Sequence, residues 1–368
     1  MCFVLGGLRL ASAQSSVTGA ITGIVTDQSG AVIVGANVKV VNIANNAEVS
    51  TTTDSGGRFL AGLLQPSTYN VEVSAAGFGT HKYAAIIVEV GRSTTVDATL
   101  KPATTESVIT TTAEAPVVET DRSDFSTNIN AATMDNSPVN TRRWSTFALT
   151  TPGASADGTF GLISFRGISG LLNNNTVDGG DNNQAFFAEE KGRTRISYSI
   201  SEDSVQEFQV NTSNYSAEYG RAAGGVVNAV TKSGTNHFHG TAYWYYRDSD
   251  IGATNPFTTQ SILVNGVATI VPIKPPDRRH QFGGNLGGTI IKDKLFFFFN
   301  ADQQLRNFPG VASPSSPAAF FSPLTASELS TLNGRGVSAA QANGAFSFLQ
   351  TLTGNVSRRG DELILFPK

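Results

Sequence analysis

Short runs in which apolar and polar residues alternate, cut by clusters of Gly, Asn, Asp, Ser and Pro, recur along most of this chain. Tyr69, Val71 and Val73 alternate with Asn70, Glu72 and Ser74, and Val96, Ala98 and Leu100 alternate with Asp97 and Thr99. A period of two is the signature of a strand with one buried face. Turn clusters at 27–30, 45–46, 54–57, 66–67 and 77–79 space these runs so that residues 16–101 predict a seven-stranded Ig-like β-sandwich. After Lys101-Pro102 the alternation stops and the chain turns Thr-rich, as an exposed extended linker over 102–125 would.

The pattern resumes in 203–236. Val205, Glu207 and Gln209 point one way along a strand and Gln206, Phe208 and Val210 the other, while Val226, Val227 and Val230 lead into a Lys-Ser-Gly-Thr-Asn turn. Between them Gly220, Gly224 and Gly225 allow positive φ and close backbone approach. The run lacks the Lys-Ser/Thr of a phosphate-binding loop and opens no helix, so it predicts no nucleotide site. Upstream, 144–153 is a short apolar segment ended by Pro152-Gly153. Short strands around 162–165 and before Val177 then set off Arg166-Gly167 and Asp178-Gly179.

From residue 237 the alternation becomes aromatic. Phe238, Ala242, Trp244 and Tyr246 share one face and His239, Thr241, Tyr243 and Arg247 the other, over about 11 residues, enough to cross a bilayer as a strand. A second run, 281–290, puts Phe282 and Leu286 on one face and turns at Lys292-Asp293-Lys294 into 295–300. The connection 248–278 is long and the turn at 292–294 tight, the asymmetry of an outer-membrane barrel. Another long connection fills 306–360, Pro-rich at 309–323 and with a helix start at Thr325-Ala326-Ser327-Glu328, before a fourth strand begins at 362–366. Four strands do not close a wall, so these residues are expected to be the N-terminal part of a longer chain.

Composition agrees with this. Charged residues are 15% of the 368 against about 25% in ordinary domains, glycines number 37, and the net charge of -3 gives nucleic acid nothing to bind. No apolar run approaches the roughly 18 residues of a spanning helix, which a barrel would not need. Cys2 is the single cysteine, which leaves no disulfide and no Cys-based metal site. It lies in an apolar start ending Ala11-Ser12-Ala13, so residues 1–13 are expected to be the remnant of a secretory signal peptide cleaved before Gln14. Asp178 with Asp181, and His237 with His239, are the nearest things to metal sites. The first pair lacks the spacing and bidentate Glu of a calcium loop, the second is two isolated imidazoles, and no cofactor is expected. No nucleophile elbow, metal quartet or dinucleotide fingerprint is present, so the chain is not expected to be an enzyme.

Glu218-Tyr219-Gly220-Arg221, Gly224-Gly225-Val226-Val227-Asn228 and Thr231-Lys232-Ser233-Gly234 resemble the end of the plug domain of TonB-dependent outer-membrane receptors of the Oar-like kind. Residues 19–25, Asp27, Gly30-Ala31, Gly35-Ala36 and 54–59 are similar to the carboxypeptidase regulatory-like domain, whose fold is shared with carbohydrate-binding modules. The resemblance implies a mainly β chain: a sandwich at 16–101, a linker at 102–125, an α+β plug at 126–236 and the first strands of an incomplete transmembrane β-barrel at 237–368. It identifies Arg166, Gly167, Asp178, Gly179, Glu207, Tyr219, Gly220, Arg221, Gly224 and Gly225 as plug motif residues. Arg166, Arg221 and Glu207 would form charge pairs that lock the plug in a polar lumen. The polar run Leu171-Leu172-Asn173-Asn174-Asn175-Thr176 stands where such plugs have an apolar strand. Glu106, Ser107, Val108, Ile109, Thr110, Thr111, Thr112 and Ala113 resemble the box that pairs with the TonB-type energy-transducing protein of the periplasm, where an unpaired β-prone strand adds to a partner's sheet. The expected place is the outer membrane, with its lipid around the barrel and the N-terminal domains in the periplasm; the ligand is not legible, a carbohydrate or a peptide being candidates. The competing reading is a secreted or surface carbohydrate-binding or adhesion module without transport, which has no use for aromatic strands after residue 236.

Overall fold

The computed structural model describes residues 17–103, 109–112, 125–137, 142–158, 162–184, 200–215, 219–264, 267–312, 322–351 and 354–367. The expected signal segment and Glu218 lie outside the described residues. Two compact units are formed, one within Met1–Thr241, Gly284–Ala301 and Ile364–Lys368, the other within Ala242–Gly283 and Asp302–Leu363.

The sandwich is made of β1 (Gly19–Asp27), β2 (Asn37–Asn42), β3 (Glu48–Thr52), β4 (Arg58–Leu64), β5 (Ser67–Ser74), β6 (His81–Val88), β7 (Ser93–Thr95) and β8 (Ala98–Leu100). One sheet has the order β4-β1-β7, with β8 also on β1; the other runs β3-β2-β5-β6 and ends in β9 (Ile109–Thr112). Both β7 and β8 lie parallel to β1. They are one strand interrupted at Val96-Asp97, where Asp97 Oδ1 accepts from Ile24 N–H, so the expected seven strands are present. Alternate residues Ile21, Val25, Val38, Val40, Val71 and Val73 are fully buried between the sheets. Each such side chain stabilises the fold by about 1.5–3 kcal/mol. The buried rings Tyr69 and Tyr83 satisfy their hydroxyls on Gln65 O and Asp97 O.

The region expected to be a plug holds β10 (Phe125–Asn130), α1 (Ala131–Asn136), a 3₁₀ helix (Trp144–Thr150), β11 (Ala154–Asp157), β12 (Leu162–Phe165), β13 (Asn174–Val177), β14 (Gly180–Asp181), β15 (Val205–Ser213) and β16 (Val226–Thr231). Five of these form a sheet in the order β10-β15-β16-β13-β14, and β11 pairs with β12. The expected alternation in β15 holds from Glu207 on: Phe208 and Val210 enter a core with Trp144, Phe147, Ile163 and Phe165, while Glu207 and Gln209 leave on the other face, but Val205, expected with Glu207, joins the core because the pairing shifts register between them. Trp144 and Phe208 meet edge to face at 5.4 Å.

The last part contains β17 (His239–Asp248), β18 (Thr259–Val264), β19 (Val267–Pro272), β20 (Arg278–Ile291), β21 (Leu295–Ala312), α2 (Ala326–Gly334), α3 (Ala339–Thr351) and β22 (Gly354–Pro367). A four-stranded open sheet has the order β17-β20-β21-β22. Apolar residues point outward, Phe238, Trp244, Leu286 and Ile290 being at least half exposed, while Gln281, Asn285, Asn300 and Asp302 on the opposite face are buried. Apolar outside and polar inside is the arrangement a lipid surround requires. Among the described residues no helix is long and apolar enough to cross a membrane. Three expectations are corrected. The connection 248–278 contains a hairpin, β18-β19; β21 continues through Pro309 to Ala312; and β22 begins at Gly354 rather than 362. Polar residues such as Asp302 and Gln304, the Pro309-Gly310 pair and the polar start of β22 read as loop in sequence, which hid those strand ends. The helix start was right: Thr325 caps α2 in a capping box with Glu328.

Candidate functional site

The residues expected to be plug motifs form turns and close approaches. Asp178 (φ 48°) and Gly179 (φ 77°) form the two-residue connection between β13 and β14, and Arg166 (φ 54°) and Gly167 (φ 81°) likewise close the Phe165–Ile168 bridge. Two successive positive φ values are what a type I′ hairpin turn demands, and Asp-Gly is among its preferred pairs. In the glycine-rich run the positive φ falls on Arg221 (57°) rather than on a glycine. Gly225 serves close approach instead, since a Cβ there would strike the Phe165 ring, and one at Gly224 would strike the Asn173 side chain.

The charges expected to lock the plug behave differently from one another. Arg221 pairs with Asp181 at 2.6 Å with both side chains more than half exposed, so the pair contributes about 1 kcal/mol or less. Arg166 donates to Ser213 Oγ at 2.7 Å and lies 5.0 Å over the Phe125 ring. Asp178 accepts from Thr231 N–H (2.9 Å) and Thr231 Oγ1 (2.6 Å), and Asp181 also accepts from Asn183 N–H, so these carboxylates staple the plug sheet. His239 Nδ1 lies 3.1 Å from His237 O and 3.3 Å from Thr235 Oγ1, within its own turn.

Glu207 is not held by an arginine. It is buried, and its Oε1 accepts from Asn128 Nδ2 (2.6 Å) and from the backbone N–H of Val90 (3.0 Å), in the β6–β7 turn of the sandwich. Asn128 and Gln209 donate in turn to Val90 O at 3.0 and 3.2 Å, and Tyr219 OH reaches Gln209 Oε1 at 3.4 Å. Burial, reinforced by the nearby Glu89 charge, pushes the Glu207 pKa up to about 7 against the opposing hydrogen bonds and Arg92. Glu207 thus seats the sandwich on the plug sheet. Two further anchors escaped the sequence reading. Arg142 faces Glu202 (3.4 Å) and Asp203 (3.2 Å), all three largely buried. Asp293 Oδ1, in the β20–β21 turn, accepts from Asn236 Nδ2 (2.7 Å) and Asn46 Nδ2 (2.9 Å). An acidic pair two residues before a strand was a legible signal for the first; nothing local pointed to its arginine.

Of the box-like segment, Glu106, Ser107, Val108 and Ala113 lie outside the described residues. Ile109, Thr110, Thr111 and Thr112 form β9, which lies parallel to β6 in the register His81↔Ile109, Lys82↔Thr110, Tyr83↔Thr111, Ala84↔Thr112. A cleft of about 290 Å³ lies where Asn42, Gln65 and Ser67 face Asp178, Thr231 and Thr235.

Comparison with known proteins matches residues 20–101 to the carboxypeptidase regulatory-like domain and residues 230–359 to an outer membrane beta barrel domain. The TonB-dependent transporter Oar of Myxococcus xanthus is 27% identical over 305 residues, 80% of this chain, which spans 27% of that relative's length. Among solved structures, the siderophore receptor PirA of Acinetobacter baumannii shares 22% identity over 50% of this chain and 24% of its own, with a TM-score of 0.33. A catechol 1,2-dioxygenase of Acinetobacter radioresistens shares 17% over 26% of this chain and 58% of its own, with a TM-score of 0.18. Structural likenesses at these scores carry no weight for function.

Proposed function

We propose that this chain is an Oar-like TonB-dependent receptor of the Gram-negative-type outer membrane, the kind of protein to which it is similar, and that it serves energy-coupled passage of a ligand, with a carbohydrate or a peptide as candidates, through a plugged β-barrel. In this reading residues 16–101 and 126–236 are the sandwich and plug, lie on the periplasmic side, and are joined by a linker over 102–125. The observation that carries it is the order along one chain: a sandwich, a strand-forming segment, a turn-rich plug sheet, then strands with apolar outer and polar inner faces. The plug blocks the passage, and the lipid-facing strands hold it in the membrane.

The segment 106–113 is the handle in this mechanism. Pulling on a folded plug needs an attachment that forms without a preshaped pocket, and backbone pairing of an extended strand supplies one. Proline at Val108 removes a ladder hydrogen bond and should weaken binding to the energy-transducing protein and abolish uptake, whereas Thr111→Ser should change little. Equal binding and uptake by wild type and Val108→Pro would reject strand addition as the coupling step.

A further inference from the structure

Strand β9 is the end strand of the sheet β3-β2-β5-β6-β9, and among the described residues no strand pairs with its outer edge. Sheet edges are normally protected by charge, by Pro, by a bulge or by brevity. The other edge of this sheet, β3, is covered that way: Glu48 begins it and pairs with Lys39 at 2.7 Å. By contrast β9 reads Ile-Thr-Thr-Thr, four β-branched residues without charge or proline. In a strand, backbone groups point alternately to the two sides, so pairing with β6 engages one set and leaves the other presented outward.

Resting on the proposed coupling role of 106–113, we infer that the sandwich templates the coupling strand: β6 holds β9 extended, and a strand of the energy-transducing partner adds to the outer edge of β9, continuing the sandwich sheet. This gives the N-terminal sandwich a task that neither barrier nor passage supplies. A free linker loses backbone entropy at each residue fixed when it pairs, and a strand already fixed on β6 has lost it beforehand, so affinity rises through preorganisation. The partner surface is an extended strand with its own unpaired edge.

A cross-link at the register pair Lys82↔Thr110 tests this. In the full receptor, with its native cysteines, Cys2 included, replaced by Ser, Lys82→Cys and Thr110→Cys should oxidise readily, and the purified periplasmic domain of the energy-transducing protein is then titrated onto oxidised and reduced forms. The expected result is that the oxidised form binds no more weakly than the reduced form, and up to about tenfold more tightly, while deletion of 17–101 weakens binding about tenfold. Loss of binding on oxidation, regained on reduction, would overturn the inference by showing that β6 competes with the partner. Failure of the disulfide to form would overturn the register itself. A free 104–115 peptide separates the two levels: if it binds while neither receptor form does, templating fails alone; if nothing binds, the coupling role fails first.

Discussion

Replacing Glu207 by Gln is a sharp test of how the sandwich is seated on the plug. The carboxyl is 4% exposed, and its pKa is raised from 4.5 to about 7 by burial first and by the Glu89 charge second. At about 1.4 kcal/mol for each pH unit between those values, ionising Glu207 in place costs the seated state roughly 3 kcal/mol. The sign follows from which state holds the proton. Between pH 4.5 and 7 the native protein keeps a proton that the unfolded or unseated chain has released, so this stability is full below 4.5, falls through the window and is flat above 7. A glutamine cannot ionise, and its Oε1 can still accept from Val90 N–H and Asn128 Nδ2. The Gln variant should therefore match wild type near pH 4.5 and exceed it by up to about 3 kcal/mol at pH 8. The direct assay is hydrogen exchange at Val90, whose N–H donates to Glu207, in the full chain, corrected for intrinsic exchange. Tenfold in an opening constant corresponds to about 1.4 kcal/mol, so wild type should lose roughly two orders of magnitude of protection between pH 4.5 and 8 and the variant almost none. Glu207→Ala should open the site at every pH, because it leaves the buried Val90 N–H without its acceptor, at about 1–3 kcal/mol, and takes one of its two acceptors from the Asn128 amide. Equal protection of wild type and the Gln variant at pH 8 would refute the reasoning.

Arg142→Ala should lower the stability of this region by about 3–5 kcal/mol, since it takes the cation away from the buried Glu202 and Asp203, whereas Arg221→Ala should cost about 1 kcal/mol or less because its pair with Asp181 is exposed. Thermal unfolding of both variants checks the contrast, and equal losses would contradict it. Gly225→Ala should cost about 1–3 kcal/mol, because its Cβ runs into Phe165, and limited proteolysis should cut the plug faster; an unchanged cleavage rate would count against a close-packed Gly225.

The sandwich was legible because its turns and its alternation are both local, and the buried set Ile21, Val38, Val71 and Val73 is the set the period of two selects. The later strands were legible where aromatics face out, and β21 was cut short where Asp302 and Gln304 are buried, since inward polar positions mimic loop. Of the plug motifs the sequence offered positions but little of the physics. Asp178-Gly179 could have been recognised as a hairpin turn from its composition. That the positive φ would fall on Arg221, and that Glu207 would bond to Val90, 117 positions away, depends on tertiary placement that no window contains.

The run Asn173-Asn174-Asn175 shows most clearly why a polar stretch concealed a strand. All three are buried, as are Asn183, Gln209, Asn211 and Asn228. An amide carries both donors and an acceptor, so it can be buried at the cost of satisfying neutral groups, far less than that of burying a charge. The amides here connect motifs that are separate in sequence. Asn173 donates to Ile163 O, in the strand before Arg166-Gly167, and accepts from Gly225 N–H. Asn174 donates to Gly220 O. Asn183 donates to Asn174 Oδ1 and to Asp181 Oδ1, whose other oxygen meets Arg221. The Arg-Gly, Asp-Gly and Gly-Gly elements are therefore one hydrogen-bonded body joined through asparagines. A domain with a small apolar core and polar surroundings can be held rigid in this way, because each neutral link is directional and fails only when a donor or acceptor is removed.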